Sequence, residues 1–101
     1  MRKQSGDNLS EFRIFETDEF LKKLRNISSR ESVFLKRKLD SFVYPQLKVE
    51  PFWGNNIKKL QGYSPDTWRY RIGKFRIFYI IDQEERIIYL LTVEKRKDAY
   101  R

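Results

Sequence analysis

The residues best suited to chemistry are arginines gathered in the second half of the chain: Arg69, Arg71, Arg76 and Arg96, with Tyr100 near the end. An arginine presents a planar fork of donors that grips two phosphate oxygens at once. Several together could stabilise the extra negative charge of a pentacovalent phosphorus during strand cleavage. RNA brings its own nucleophile, the 2′-hydroxyl, so such a site needs neither a protein nucleophile nor a metal. That economy suits this sequence, which contains no histidine and no cysteine. The usual general base and the usual zinc ligands are therefore missing, and the carboxylates form no recognisable paired motif. No cofactor is expected.

Charge supports the same direction. Twenty-two Lys and Arg against fourteen Asp and Glu leave a formal net charge of +8, and the pI is near 9.8. A basic balance of this size implies a polyanionic partner: nucleic acid, an anionic membrane or an acidic protein. Lysines that could join an RNA-binding surface are Lys58, Lys59, Lys74, Lys95 and Lys97. Each has a plainer reading as well, because a lone basic residue on a solvent-facing strand or loop serves solubility or guards a sheet edge. Only the joint pattern favours a phosphate site.

Elements must then position these side chains. Residues 1–10 hold Gly6, two Ser and an Asn and read as a loose extension; residues 11–101 read as one domain. Eight Phe, six Tyr and two Trp supply a core. No apolar run approaches a membrane span, no hydrophobic segment follows the basic first residues, and a cytoplasmic protein is expected. Phe12–Phe15 reads as a first strand. Thr17 and Asp18 offer caps for a helix whose apolar stripe is Phe20, Leu21, Leu24 and Ile27. Ser28 with Glu31 matches a capping box for a second helix, with a core face of Val33, Leu35, Leu39, Phe42 and Val43. Pro45 should end it, and residues 45–66 should be irregular.

From Thr67 the period changes to two. Strands over 68–72, 75–81 and 86–93, joined by Gly73-Lys74 and by Asp82–Glu85, predict an antiparallel β-meander. The expected fold class is α+β: an N-terminal strand, a two-helix hairpin, then three antiparallel strands with the helices on one sheet face. Alternation puts Arg69 and Arg71 on one face, with Trp68, Tyr70 and Ile72 facing the helices. Across the turn, Arg76 can join the arginine face, and Arg96 lies just past the third strand.

Three pieces in this order resemble the RelE/ParE toxin superfamily over about residues 12 to 101. Lys59-Leu60-Gln61-Gly62 is similar to the family's Lys-Leu-x-Gly loop. Trp68-Arg69-Tyr70-Arg71-Ile72-Gly73-Lys74-Phe75-Arg76-Ile77-Phe78-Tyr79 is similar to its Tyr-Arg-x-Arg-x-Gly-x-Tyr-Arg-x-x-Tyr double strand. Val93-Glu94-Lys95-Arg96-Lys97-Asp98-Ala99-Tyr100 is similar to its Val-Gly-His-Arg-x-x-x-Tyr ending. The resemblance, stronger to the RelE branch, implies a type II toxin that cuts messenger RNA on the ribosome by 2′-hydroxyl attack, without metal, and so inhibits translation. It implies an acidic antitoxin partner, besides ribosome and mRNA. By the same resemblance Arg76 contacts the scissile phosphate, Arg96 stabilises the phosphate or leaving group, and Tyr100 orients or activates the attacking hydroxyl. Arg69 and Arg71 stand where well-studied RelE members have lysines, and Glu94-Lys95 replaces Gly-His. These departures favour charge stabilisation over proton transfer. The alternatives are a ParE-like, non-enzymatic inhibitor of DNA gyrase, or a catalytically impaired RNA-binding protein of the same fold.

Overall fold

The computed structural model of the chain describes residues 11–96. Strand β1 (Arg13–Glu16) leads into helix α1 (Asp18–Arg25). Thr17 caps that helix: its hydroxyl accepts from the Phe20 N–H at 3.2 Å and donates to the Leu90 carbonyl at 2.6 Å. The helix start is thereby tied to the last strand. Acidic Asp18 and Glu19 in the first turn, and Lys22, Lys23 and Arg25 in the last, complement the helix dipole. Helix α2 (Ser29–Lys38) begins at the expected Ser28 cap, whose oxygen accepts from the Glu31 N–H at 3.3 Å.

The second helix runs on past Pro45, contrary to the expectation from sequence. A π turn (Leu39–Val43) follows α2 and passes directly into α3 (Tyr44–Val49). Pro45 is the second residue of α3 and directly follows the π turn. The wider π turn before it displaces the carbonyl that a proline ring would strike. The core face needs a second correction, and the same turn explains its Phe42 part. Leu35, Leu39 and Val43 are buried, but Val33 and Phe42 are each 60% exposed. With an i→i+5 pattern, position i+4 stays beneath Leu39 and Phe42 at i+3 is carried off the stripe. Segment 45–66 thus contributes α3 and the short strand β2 (Ile57–Lys59) rather than loop alone.

The meander is present as β3 (Trp68–Ile72), β4 (Phe75–Asp82) and β5 (Ile87–Lys95). Gly73 opens the first turn with φ +55°, as a glycine-first two-residue hairpin requires. Among the described residues the sheet has five strands, in the order β1-β5-β4-β3-β2. Of these, only β1, which pairs with β5, is parallel to its neighbour. The helices cover one face. Phe20, Leu24, Leu35, Leu39, Val43 and Leu47 from the helical layer meet Tyr70, Ile72, Phe75, Ile77, Tyr79, Ile88, Leu90 and Val93 from the sheet. Burying each large side chain of this set is worth roughly 1.5–3 kcal/mol. Two phenols in this layer are satisfied internally: Tyr79 donates to the Pro51 carbonyl at 2.7 Å, and Tyr70 to Gln46 Oε1 at 2.8 Å. No helix among the described residues is long and apolar enough to cross a membrane.

Candidate functional site

The other face of the sheet carries the arginines. Tyr70 and Ile72 are buried toward the helices, so Arg69 and Arg71 emerge opposite them. Phe75, Ile77 and Tyr79 fix β4 in the same way and bring Arg76 and Phe78 to the open face. Pairing then sets like charge against like charge. Arg71 is in register with Arg76, and Lys58 of β2 is in register with Arg69.

Arg96 reaches this face through an irregularity in β5. Tyr79 pairs with Leu90, yet Phe78 pairs with Thr92, so Leu91 is an extra residue, a β-bulge. Before it the even-numbered Ile88 and Leu90 are buried; after it the odd-numbered Val93 is. Uninterrupted alternation would have turned residues 92, 94 and 96 toward the helices. The bulge brings Glu94 into register with Arg76 instead, and Arg96 follows on the same side. The Arg96 N–H donates to the Lys74 carbonyl at 2.6 Å, which holds the strand end against the β3–β4 turn.

These side chains enclose an open cleft of about 290 Å³. Six cations line it, namely Lys58, Arg69, Arg71, Lys74, Arg76 and Arg96, over apolar Leu60 and Phe78. Arg76 is the most telling member. Its Nε is buried and has no hydrogen-bond partner among the described residues. Its Nη2 lies 3.6 Å from Glu94 Oε1, an ion pair beyond hydrogen-bonding distance, and its guanidinium sits 5.8 Å from the Phe78 ring centroid. Burial first, then the positive charges of Arg71 and Arg76, lower the Arg69 pKa from the ordinary guanidinium value. The cleft is thus an array of donors in mutual repulsion, which an anion would relieve.

Not all the candidates meet there. Lys59 alternates to the helix side, where it pairs with Asp66 at 3.2 Å and lies 5.9 Å from the Trp68 ring centroid. The bulge turns Lys95 to the helix side too, where it pairs with Glu31 at 2.9 Å. That carboxylate is held below its ordinary pKa, chiefly by the Lys95 hydrogen bond. Lys97 and Tyr100 lie outside the described residues. Phe78 and Glu94 were not among the sequence candidates. Phe78 stands two residues after Arg76 and was readable by alternation; Glu94 depends on the bulge and was not. Among the described residues no group of three or more carboxylates is placed to hold a metal.

A family model described as the ParE toxin of the type II toxin-antitoxin system parDE matches residues 14–100. The chain belongs to the RelE/ParE toxin superfamily. A Methanocaldococcus jannaschii protein named "Putative toxin RelE1" is 41% identical over 46 residues, 46% of this chain, and the match spans 50% of that relative's length. Among solved structures, the toxin-antitoxin complex RelBE2 of Mycobacterium tuberculosis aligns at TM-score 0.66 and 20% identity, over 85% of this chain and 99% of that one. The isolated E. coli RelE toxin aligns at TM-score 0.61 and 22% identity, over 87% of each chain. At such identities the likeness is one of fold: this toxin has a RelE-like α+β architecture.

Proposed function

We propose that the toxin is a ribosome-dependent endoribonuclease that cuts messenger RNA and so stops translation. The observation that carries this is the buried, unpartnered Nε of Arg76, set in a cleft of opposed cations. In the reaction the 2′-oxygen bonds to the adjacent phosphorus and the P–O5′ bond breaks. A 2′,3′-cyclic phosphate and a 5′-hydroxyl result; one proton leaves the 2′-hydroxyl and one arrives at O5′. Arg76 and Arg96 bind the scissile phosphate and its developing charge, and Arg69 and Arg71 stabilise it from β3. Lys58 and Lys74 bind the flanking strand, with Lys97 as an outlying contact; Lys59 and Lys95, on the helix side, are left to their pairs with Asp66 and Glu31. Tyr100 orients the attacking hydroxyl. An acidic antitoxin neutralises the toxin by covering its basic surface, consistent with the net charge of +8. Solved structures of the same fold include RelB–RelE complexes.

Purified toxin added to programmed ribosomes should cleave the messenger, and Arg76→Ala and Arg96→Ala should each abolish cleavage. Cleavage that survives both substitutions overturns the assignment. The ParE description of the matching family favours a second reading, inhibition of DNA gyrase by binding alone. A supercoiling assay separates the two, since gyrase inhibition without messenger cleavage selects the second.

A further inference from the structure

We propose that Phe78 is a stacking platform for one base of the RNA strand whose phosphate the arginines hold. The inference rests on the RNA reading above and deepens it. Phe78 occupies the open face of β4, in register with Arg69 on one side and Thr92 on the other. It is half-buried and lines the same cleft as the six cations. Arg76, two residues before it on the same face, is about 7 Å away along the strand. That is within one nucleotide's reach, so a phosphate on Arg76 brings its own base over the ring. Arginine stems alone would give the sheet an apolar cover, and Ile80 covers the next open-face position of β4 with an aliphatic side chain. A ring at position 78 adds what an aliphatic cannot, a flat π face beside a guanidinium. Cationic grooves that hold single strands combine these two elements: charge for the backbone and an aromatic for the base.

The test compares two noncleavable, 2′-O-methylated trinucleotides, identical except that the second has an abasic central residue. Wild-type toxin, Phe78→Leu and Phe78→Trp are each titrated with both, by fluorescence anisotropy. Wild type should bind the base-bearing strand more tightly than the abasic one. Phe78→Leu should weaken the base-bearing strand about 5- to 100-fold and leave the abasic strand unchanged. Phe78→Trp, which keeps a stacking surface, should bind the base-bearing strand at least as tightly as wild type. Equal losses for both strands, or no loss for either, overturn the stacking role while leaving the RNA reading intact. Failure of the wild type to bind either strand overturns the stacking proposal, whereas the RNA reading falls only if programmed ribosomes show no messenger cleavage. Should Phe78→Leu not fold, the other two proteins carry the test: equal affinity for base-bearing and abasic strands in both overturns the proposal.

Discussion

Arg71 stands directly opposite Arg76 across β3 and β4, so two guanidinium groups share one cross-strand position on the open face. Lys58 repeats the arrangement against Arg69 one strand over. Like charges placed directly opposite destabilise a sheet, and the neighbouring Arg71 and Arg76 already disfavour the charged form of Arg69. Glu94, in register with Arg76 on its other flank, offsets one of these charges. The remaining repulsion has no structural benefit, and a bound polyanion would relieve it.

The first prediction follows from that repulsion. Arg71→Gln should stabilise the fold by about 0.2–1 kcal/mol while weakening RNA binding. Urea denaturation gives the first quantity. For the second, the logarithm of the affinity should fall linearly with the logarithm of salt concentration, and the variant's slope should be shallower by about 0.7 for the one lost phosphate contact. A variant both less stable and unaltered in salt slope would refute the reading of Arg71.

Glu94 leads to the second prediction. It holds Arg76 at 3.6 Å, with both side chains close to half exposed, and so competes with phosphate for that guanidinium. An exposed pair of this kind is worth about 0.2–1 kcal/mol. Glu94→Gln should therefore tighten RNA binding by up to about fivefold and steepen its salt dependence. Weaker binding on direct titration would mean that Glu94 orients Arg76 productively rather than restraining it.

Much of this site was legible in the sequence because strands have a fixed period. Trp68–Ile72 alternates cleanly, and Arg76 is the one polar residue of Phe75–Ile81, so the facing of Arg69, Arg71 and Arg76 followed from which neighbours were apolar. The same rule fails where one residue is inserted. Ile87–Val93 is apolar at nearly every position, so nothing in its pattern marks Leu91 as a bulge, and the facing of Glu94, Lys95 and Arg96 could not be read. The helical layer failed for a related reason. Leu35, Leu39 and Val43 suit an α-helix and a π turn equally, so the turn that leaves Phe42 outside and lets the helix pass Pro45 depended on tertiary packing. Strand β2 was hidden in turn-rich sequence because three residues carry too little period to register. Lys97 and Tyr100 stay at the level of sequence resemblance.

The third prediction concerns Lys95, which the bulge turns away from the cleft and toward Glu31. Its hydrogen bond lowers the Glu31 pKa. With the folded value below the unfolded one, the pair's contribution is present above the unfolded pKa. It is lost as pH falls through the folded pKa. Lys95→Ala should raise the Glu31 pKa toward the ordinary carboxylate value, as followed by NMR of the side-chain carboxyl. It should also reduce messenger cleavage far less than Arg96→Ala, although the two residues are adjacent. Equal loss from both would place Lys95 in the chemistry after all.

A fourth prediction tests the core that holds β4, and with it Arg76 and Phe78, in place. Tyr79 is fully buried, and its hydroxyl donates to the Pro51 carbonyl at 2.7 Å. Tyr79→Phe leaves that carbonyl unpaired and should cost about 1–3 kcal/mol, read from the urea midpoint. Burial also raises the phenol's pKa well above that of a free tyrosine. The sign of the pH effect follows. The unfolded chain ionises this group near pH 10, whereas the folded chain keeps its proton. Tyr79 thus contributes fully below the unfolded pKa, and the contribution fades as pH rises toward the folded value. Wild-type toxin should lose stability above about pH 10 more steeply than Tyr79→Phe does, so the cost of the substitution should shrink as pH rises. A cost that stays constant from neutral to strongly alkaline pH would show that the phenol ionises alike in both states, and that the Pro51 contact does not protect it.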